Sequence, residues 1–169
     1  IIDQLVNGIQ VNKRVTILEG WTIDLIAEEL HDKIGIDQDE FKNACTNELL
    51  LWKWGISERT VEGYLFPNTY LFSEEEDIQD IIGRMINEYK QRITLEFRER
   101  MQELGMDEKE IITLASIIEG EAIYDKERAV ISGVYHNRLN IGMRLQADPT
   151  IQYIIKDSPR RLLNKDLKI

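Results

Sequence analysis

Apolar residues recur along this chain with two rhythms. One is a short β-branched run near the beginning, and the other has the three-to-four-residue spacing of helices. Arg14-Val15-Thr16-Ile17-Leu18 predicts a strand. Glu19-Gly20-Trp21 turns the chain, and Thr22 is placed to cap a helix whose one face carries Ile23, Ile26, Ala27 and Leu30. Asp37, with Glu40 three residues on, has the form of a capping box ahead of Phe41 and Ala44. Strand, turn and two helices, ending near Ile56, predict a small α/β module.

The next stretch, Glu62 to Phe72, is rich in aromatics, and Gly63 and Pro67 oppose a regular helix there. Aromatic residues are core residues first, so the default is a hydrophobic connector wedged into a core. The sharper alternative is a wall of a sugar-binding cleft, because aromatic faces suit the apolar faces of sugar rings. Ile78, Ile81, Ile82, Met85, Ile86 and Tyr89 then predict an amphipathic helix that runs on to Leu104 and stops at Gly105. Asp107 with Glu110 predicts another helix start, carrying Ile111, Ile112, Leu114, Ala115, Ile117 and Ile118. A further helix is expected from Lys126 to Leu139, ended by Asn140-Ile141-Gly142. Asp148-Pro149 reads as an N-cap followed by proline in the first helical position, opening a helix with Ile151, Tyr153, Ile154 and Ile155.

Composition narrows the classes. The 169 residues suit one medium domain or two small ones, and 43% hydrophobic with 31% charged residues is a globular balance. Net charge is −10, which opposes binding to a phosphate backbone, and the one dense basic spot, Pro159-Arg160-Arg161, is short. No nucleic-acid partner is expected. Cys45 stands alone, so no internal disulfide can form. His31 and His136 lack partners at metal-ligand spacing, and phosphate-loop and nucleophile-elbow patterns are missing, so neither metal nor cofactor is expected. The sequence has no apolar run of membrane-spanning length. It opens on Ile1-Ile2-Asp3 without a methionine, as a piece of a longer protein would.

The chemistry-bearing candidates are carboxylates. At about 100° per residue, Glu119 falls beside Ile112, Ala115 and Ile123, while Glu121 falls at the far shoulder near Leu114 and Ile117. Apolar surroundings favour the protonated form of a carboxylic acid and suit it to donate a proton. The bland alternative is an ion pair, with Arg128 or Arg138 as partner, and periodicity alone does not separate the two. Gln146 could hydrogen-bond an N-acetyl group or hydroxyl of a sugar, or simply be solvated.

Leu114-Ala115-Ser116-Ile117-Ile118-Glu119-Gly120-Glu121-Ala122 resembles the catalytic-helix motif of the MltG (YceG-like) family. Glu127-Arg128, Val134 to Leu139 and Gly142 to Thr150 continue the likeness in order. Upstream, Val61 to Tyr70 and Val15 to Thr22 are similar to the family's aromatic segment and its strand and turn. The resemblance spans nearly the whole chain. Two positions depart from it: Asn68 stands where the family has Asp, and Gly120 where Lys is common.

The resemblance implies an α+β protein: a small LysM-like module over residues 1–56, then a mostly helical, lysozyme-like catalytic domain over 57–169, with both cut short at the chain ends. It implies an endolytic lytic transglycosylase that cleaves the bond between N-acetylmuramic acid and N-acetylglucosamine in nascent peptidoglycan and leaves a 1,6-anhydro end. Glu119 maps onto the family's single acid/base, with Glu121 in reserve. Tyr64, Tyr70, Asn137, Gln146 and Glu121 are expected substrate contacts. Expected partners are glycan strands and cell-wall synthases. An N-terminal anchor in the bacterial inner membrane would hold the catalytic domain on the extracytoplasmic side. The alternative is a non-catalytic module that binds peptidoglycan or recruits synthases.

Overall fold

A computed structural model describes residues 12–155 together with Leu162 and Asp166. The basic spot at Arg160 and Arg161 lies outside these residues. The fold is α+β and mostly helical, with one two-stranded sheet. It divides into two compact units, residues 1–103 and 104–169.

In the first unit, β1 (Asn12–Thr16) pairs antiparallel with β2 (Thr69–Ser73), Val15 opposite Tyr70. The strand expected over 14–18 therefore starts and ends two residues earlier, although Ile17 still donates its N–H to the Asn68 carbonyl. β2 arises within the aromatic stretch expected to be irregular. It forms because Tyr70 and Phe72 bury their rings while β1 satisfies the backbone.

α1 (Ile23–Ile34) begins as expected, with the Thr22 hydroxyl accepting the Leu25 N–H, and buries Ile26, Ala27, Leu30 and Ile34. Gly35 ends it at φ +76°, a left-handed conformation that glycine adopts without strain. α2 (Gln38–Cys45) is capped by Asp37, which accepts the Glu40 N–H at 2.8 Å. α3 (Glu48–Trp54) is capped by Asn47. α4 (Ile78–Arg92) brings Ile81, Ile82, Met85, Ile86 and Tyr89 into a core shared with Val15, Leu30, Phe41, Trp54, Val61 and Phe72. That shared core takes in residues on both sides of position 56/57, and the division into compact units falls at 103/104.

The long helix expected to reach Leu104 is two helices. α4 stops at Arg92, and Thr94 opens α5 (Leu95–Leu104) by accepting the Phe97 N–H on its hydroxyl. β-Branched Ile93 and Thr94 favour the break, and the threonine hydroxyl makes it a cap.

The second unit holds α6 (Glu108–Glu121), α7 (Asp125–Asn140) and α8 (Asp148–Ile154). The capping box of Asp107 and Glu110 is complete, with both reciprocal bonds present. Leu114, Ile117, Tyr135 and Ala147 form the core, flanked by Met106, Ile118, Ile131 and Leu145. Asp148 is the first helical residue of α8, not its cap. Ala147 occupies the cap without a side-chain bond, and Pro149 sits one place further in than expected. α6 and α8 approach closely at Gly120, where a Cβ would lie 2.8 Å from the Pro149 ring.

Candidate active site

The last turn of α6 presents two carboxylates in different directions. Leu114 and Ile117 are the buried residues of this helix, and Glu121 lies on their side of it. Glu121 Oε1 accepts the Asp148 N–H at 3.0 Å, and the buried Tyr135 hydroxyl donates to the same carboxylate. The Tyr135 phenol is shifted up from 10.0, first by burial and then by the charge and hydrogen bond of Glu121. Glu121 thereby ties α6 to both α7 and α8.

Glu119 lies on the flank of α6 and meets Arg128 of α7. Arg128 Nε donates to Oε2 and Nη2 to Oε1, both at 2.9 Å, a two-pronged ion pair. Arg128 Nη1 also donates to Asp125. The two carboxylates push the guanidinium upward, with the Glu119 hydrogen bonds leading. The Glu119 side chain keeps 31% of its surface exposed. The apolar shelter expected from periodicity is therefore not formed: Ala115 is exposed and Ile123 is 82% exposed. The physical reason is that α6 ends at Glu121 with Ala122 as its cap, which leaves Ile123 in the turn, outside any apolar face. That turn is pinned by Glu127, whose Oε2 accepts the N–H groups of Ile123 and Tyr124. Of the two arginines expected as partners, Arg138 instead donates to the Leu145 carbonyl.

The remaining expected contacts are distributed between the units. Asn137 is exposed on α7, about 180° round the helix from Arg128. Gln146 is exposed and adopts φ +52°, the one left-handed non-glycine residue among those described. In the first unit, Tyr64 packs edge-on against Tyr89. Tyr70 is buried, stacks on Phe72 and donates its hydroxyl to the Phe66 carbonyl at 2.6 Å. Burial moves the Tyr70 phenol up to about 12, with the Glu88 charge adding to it. Arg84 lies 4.7 Å over the Phe72 ring and donates to the Leu71 carbonyl and to Glu76. Glu62, of the same aromatic stretch, accepts the Ile23 N–H at the start of α1.

Nothing in the sequence points to the pairing of Tyr135 with Glu121, the turn held by Glu127 or the close approach at Gly120. Glu121 and Tyr135 lie on different helices, so their pairing leaves no local signal in the sequence. Glu127 stands out in the sequence only beside Arg128, in the stretch that resembles the family motif. Among the described residues no group of three or more His, Cys, Asp and Glu side chains could hold a metal ion. No helix among them is long and apolar enough to cross a membrane.

These features define a mostly helical α+β protein with a carboxylate held by an arginine at the end of a helix. The YceG-like family model matches residues 1–169, and the chain belongs to that family. An endolytic murein transglycosylase of Bacillus subtilis (strain 168) is 33% identical over 147 residues, covering 85% of this chain and 40% of that protein. One of Streptococcus pneumoniae (strain ATCC BAA-255 / R6) is 30% identical over 165 residues, covering 82% of this chain and 29% of that protein. A crystal structure of a yceG-like protein from Listeria monocytogenes matches with a TM-score of 0.84 at 26% identity, covering all of this chain and 62% of that one. The chain thus spans between 29% and 40% of the length of these two transglycosylases.

Proposed function

We propose that the chain is part of an endolytic lytic transglycosylase acting on peptidoglycan, with Glu119 as its single acid and base. The names of the relatives support the reaction class. The observation that carries the residue is the Glu119 carboxylate at the end of α6, oriented by a two-pronged pair with Arg128 and still 31% exposed to an incoming substrate. A protonated Glu119 donates to the oxygen between N-acetylmuramic acid and N-acetylglucosamine, and the bond from that oxygen to C1 breaks. The muramic acid C6 hydroxyl then closes on C1 and its proton returns to Glu119, which leaves a 1,6-anhydro end. One group in both roles must change protonation state within each turnover.

In this reading, residues 57–169 contribute to a lysozyme-like catalytic domain, and residues 1–56 form a LysM-like module. Tyr64, Asn137, Gln146 and Glu121 remain proposed substrate neighbours. In the same reading the native protein sits at the inner membrane, with its catalytic part outside, beside wall synthases.

The test is Glu119→Gln in the full-length protein acting on isolated glycan strands, with 1,6-anhydro ends counted by mass spectrometry. Turnover falls by about 10²–10⁴-fold with thermal unfolding unchanged. Wild-type release of anhydro ends by this variant removes Glu119 from the mechanism.

A second reading, glycan binding without chemistry, draws on the first unit. There Trp52 is 83% exposed beside an open groove of about 790 Å³ that includes Thr46, Glu48, Ser57 and Arg59. Aromatic faces of this kind suit sugar rings. Retention of glycan by the full-length protein with no anhydro product at any pH favours it.

A further inference from the structure

Arg128 grips two carboxylates at once. Its Nε and Nη2 occupy both oxygens of Glu119 at 2.9 Å, and its Nη1 reaches Asp125 Oδ1. Glu119 is on α6, whereas Asp125 lies three residues before Arg128 on the same helix. The Asp125 side chain is 96% exposed and that of Arg128 41% exposed, so packing does not lock the guanidinium onto one partner. The other charged groups nearby are committed elsewhere. Glu127 caps the turn before α7, Glu121 faces Tyr135 and the Asp148 N–H, and Lys126 lies 5.9 Å from the Tyr124 ring. Arg138 is bound to the Leu145 carbonyl. Among the described residues Arg128 is the cation paired with Glu119.

A carboxylate that accepts one N–H on each oxygen still has lone pairs for a proton, but a proton on either oxygen cancels the negative charge that holds the guanidinium. The fork and the proton therefore compete for Glu119. Asp125 offers the displaced N–H groups an acceptor, so the guanidinium stays paired when Glu119 takes a proton from solvent.

We propose that Arg128 is a positioning residue whose competition with the proton, balanced by Asp125, sets the pH range in which Glu119 can act as an acid. The proposal rests on the acid/base reading of Glu119. It assigns distinct and opposed parts to the two residues: Arg128 favours the charged carboxylate, and Asp125 draws Arg128 away from it and adds a like charge nearby.

The experiment is the pH dependence of kcat/KM for release of 1,6-anhydro ends from glycan strands by the full-length protein. It compares wild type, Arg128→Gln, Arg128→Lys and Asp125→Asn, with Glu119→Gln as control. The alkaline limb, where the acid loses its proton, moves up by about one pH unit or more in Arg128→Gln. It moves down in Asp125→Asn, because the fork then stays on Glu119. Arg128→Lys falls between wild type and Arg128→Gln, since lysine supplies charge without the planar fork. Limbs that stay in place, or that move together in Arg128→Gln and Asp125→Asn, overturn the proposal, and an inactive Glu119→Gln then leaves the acid/base reading standing. An active Glu119→Gln overturns both. If Arg128→Gln does not fold, Asp125→Asn and Arg128→Lys still decide by the opposite signs of their shifts.

Discussion

Glu121 Oε1 accepts the backbone N–H of Asp148 at 3.0 Å, so the end of α6 is fastened to the start of α8 across 27 residues of sequence. The same carboxylate receives the Tyr135 hydroxyl, which lies in the core of this unit at 5% exposure. Removing an acceptor from a buried donor costs more than the bond contributes, because the donor is left without water or partner. Glu121→Ala is therefore expected to destabilise by about 1–3 kcal/mol, and Glu121→Gln, which keeps an acceptor oxygen, by about 1 kcal/mol or less. Denaturant unfolding of both variants measures the gap. In Glu121→Gln the Tyr135 phenol should also titrate closer to its ordinary 10.0, because the charge that helps raise it is gone. Equal stability of the Ala and Gln variants would show that Glu121 is not a fastening.

Tyr70 separates two roles for the aromatic stretch. Its ring is 7% exposed and its hydroxyl is spent on the Phe66 carbonyl at 2.6 Å, just before Pro67 turns the chain into β2. Tyr70→Phe should lose about 1 kcal/mol and lower the melting temperature by a few degrees, with KM for glycan strands unchanged. A raised KM at unchanged stability would make Tyr70 part of a sugar-binding wall instead.

Short-range chemistry in this chain was legible and long-range pairing was not. Thr22, Asp37 and Asp107 act as caps, since a side-chain oxygen serving an N–H three residues on is a local matter. β2 escaped because the partner that makes Thr69 to Ser73 a strand lies far away, with the Thr16 and Thr69 hydroxyls meeting across 53 residues. The break at Ile93 escaped because the apolar rhythm of α4 gives no warning of the Thr94 cap. At the candidate site, Arg128 and Arg138 were equal partners for Glu119 on paper. Only the turn held by Glu127, and the Leu145 carbonyl that takes Arg138, decide for Arg128.

Glu62 makes stability depend on pH. Its carboxyl is shifted up from 4.5, chiefly because the fold removes it from water, with Asp24 adding to the shift and the Ile23 N–H opposing it. A group whose folded-state value is raised binds its proton more tightly when folded. Its ionisation therefore costs stability as pH rises from 4.5 through the raised value, and the cost vanishes as pH falls below 4.5. Glu62→Gln keeps an acceptor for Ile23 and cannot ionise. Its melting temperature should exceed that of wild type at pH 7, and the two should converge towards pH 4. A constant difference across that range would show that ionisation of Glu62 is not what costs stability.

Gln146 joins conformational strain to a proposed contact. At φ +52° its Cβ crowds its own backbone, and the neighbours hold it there. The Leu145 carbonyl is bound by Arg138, while Ala147 is 2% exposed and its carbonyl receives both the N–H and the hydroxyl of Thr150. Glycine relieves a left-handed penalty of about 1–2 kcal/mol and adds about 0.5–1 kcal/mol of unfolded-chain entropy, so the relief wins. Gln146→Gly should therefore be more stable than wild type by up to about 1 kcal/mol. If the exposed amide bonds an N-acetyl group or hydroxyl of the glycan, the same variant should lose about tenfold in kcat/KM, the worth of one hydrogen bond. Gln146→Ala keeps the strain and loses the amide, so it should match the glycine variant in activity and wild type in stability. A glycine variant that is more stable and fully active would leave Gln146 with its strain and without a substrate to explain it.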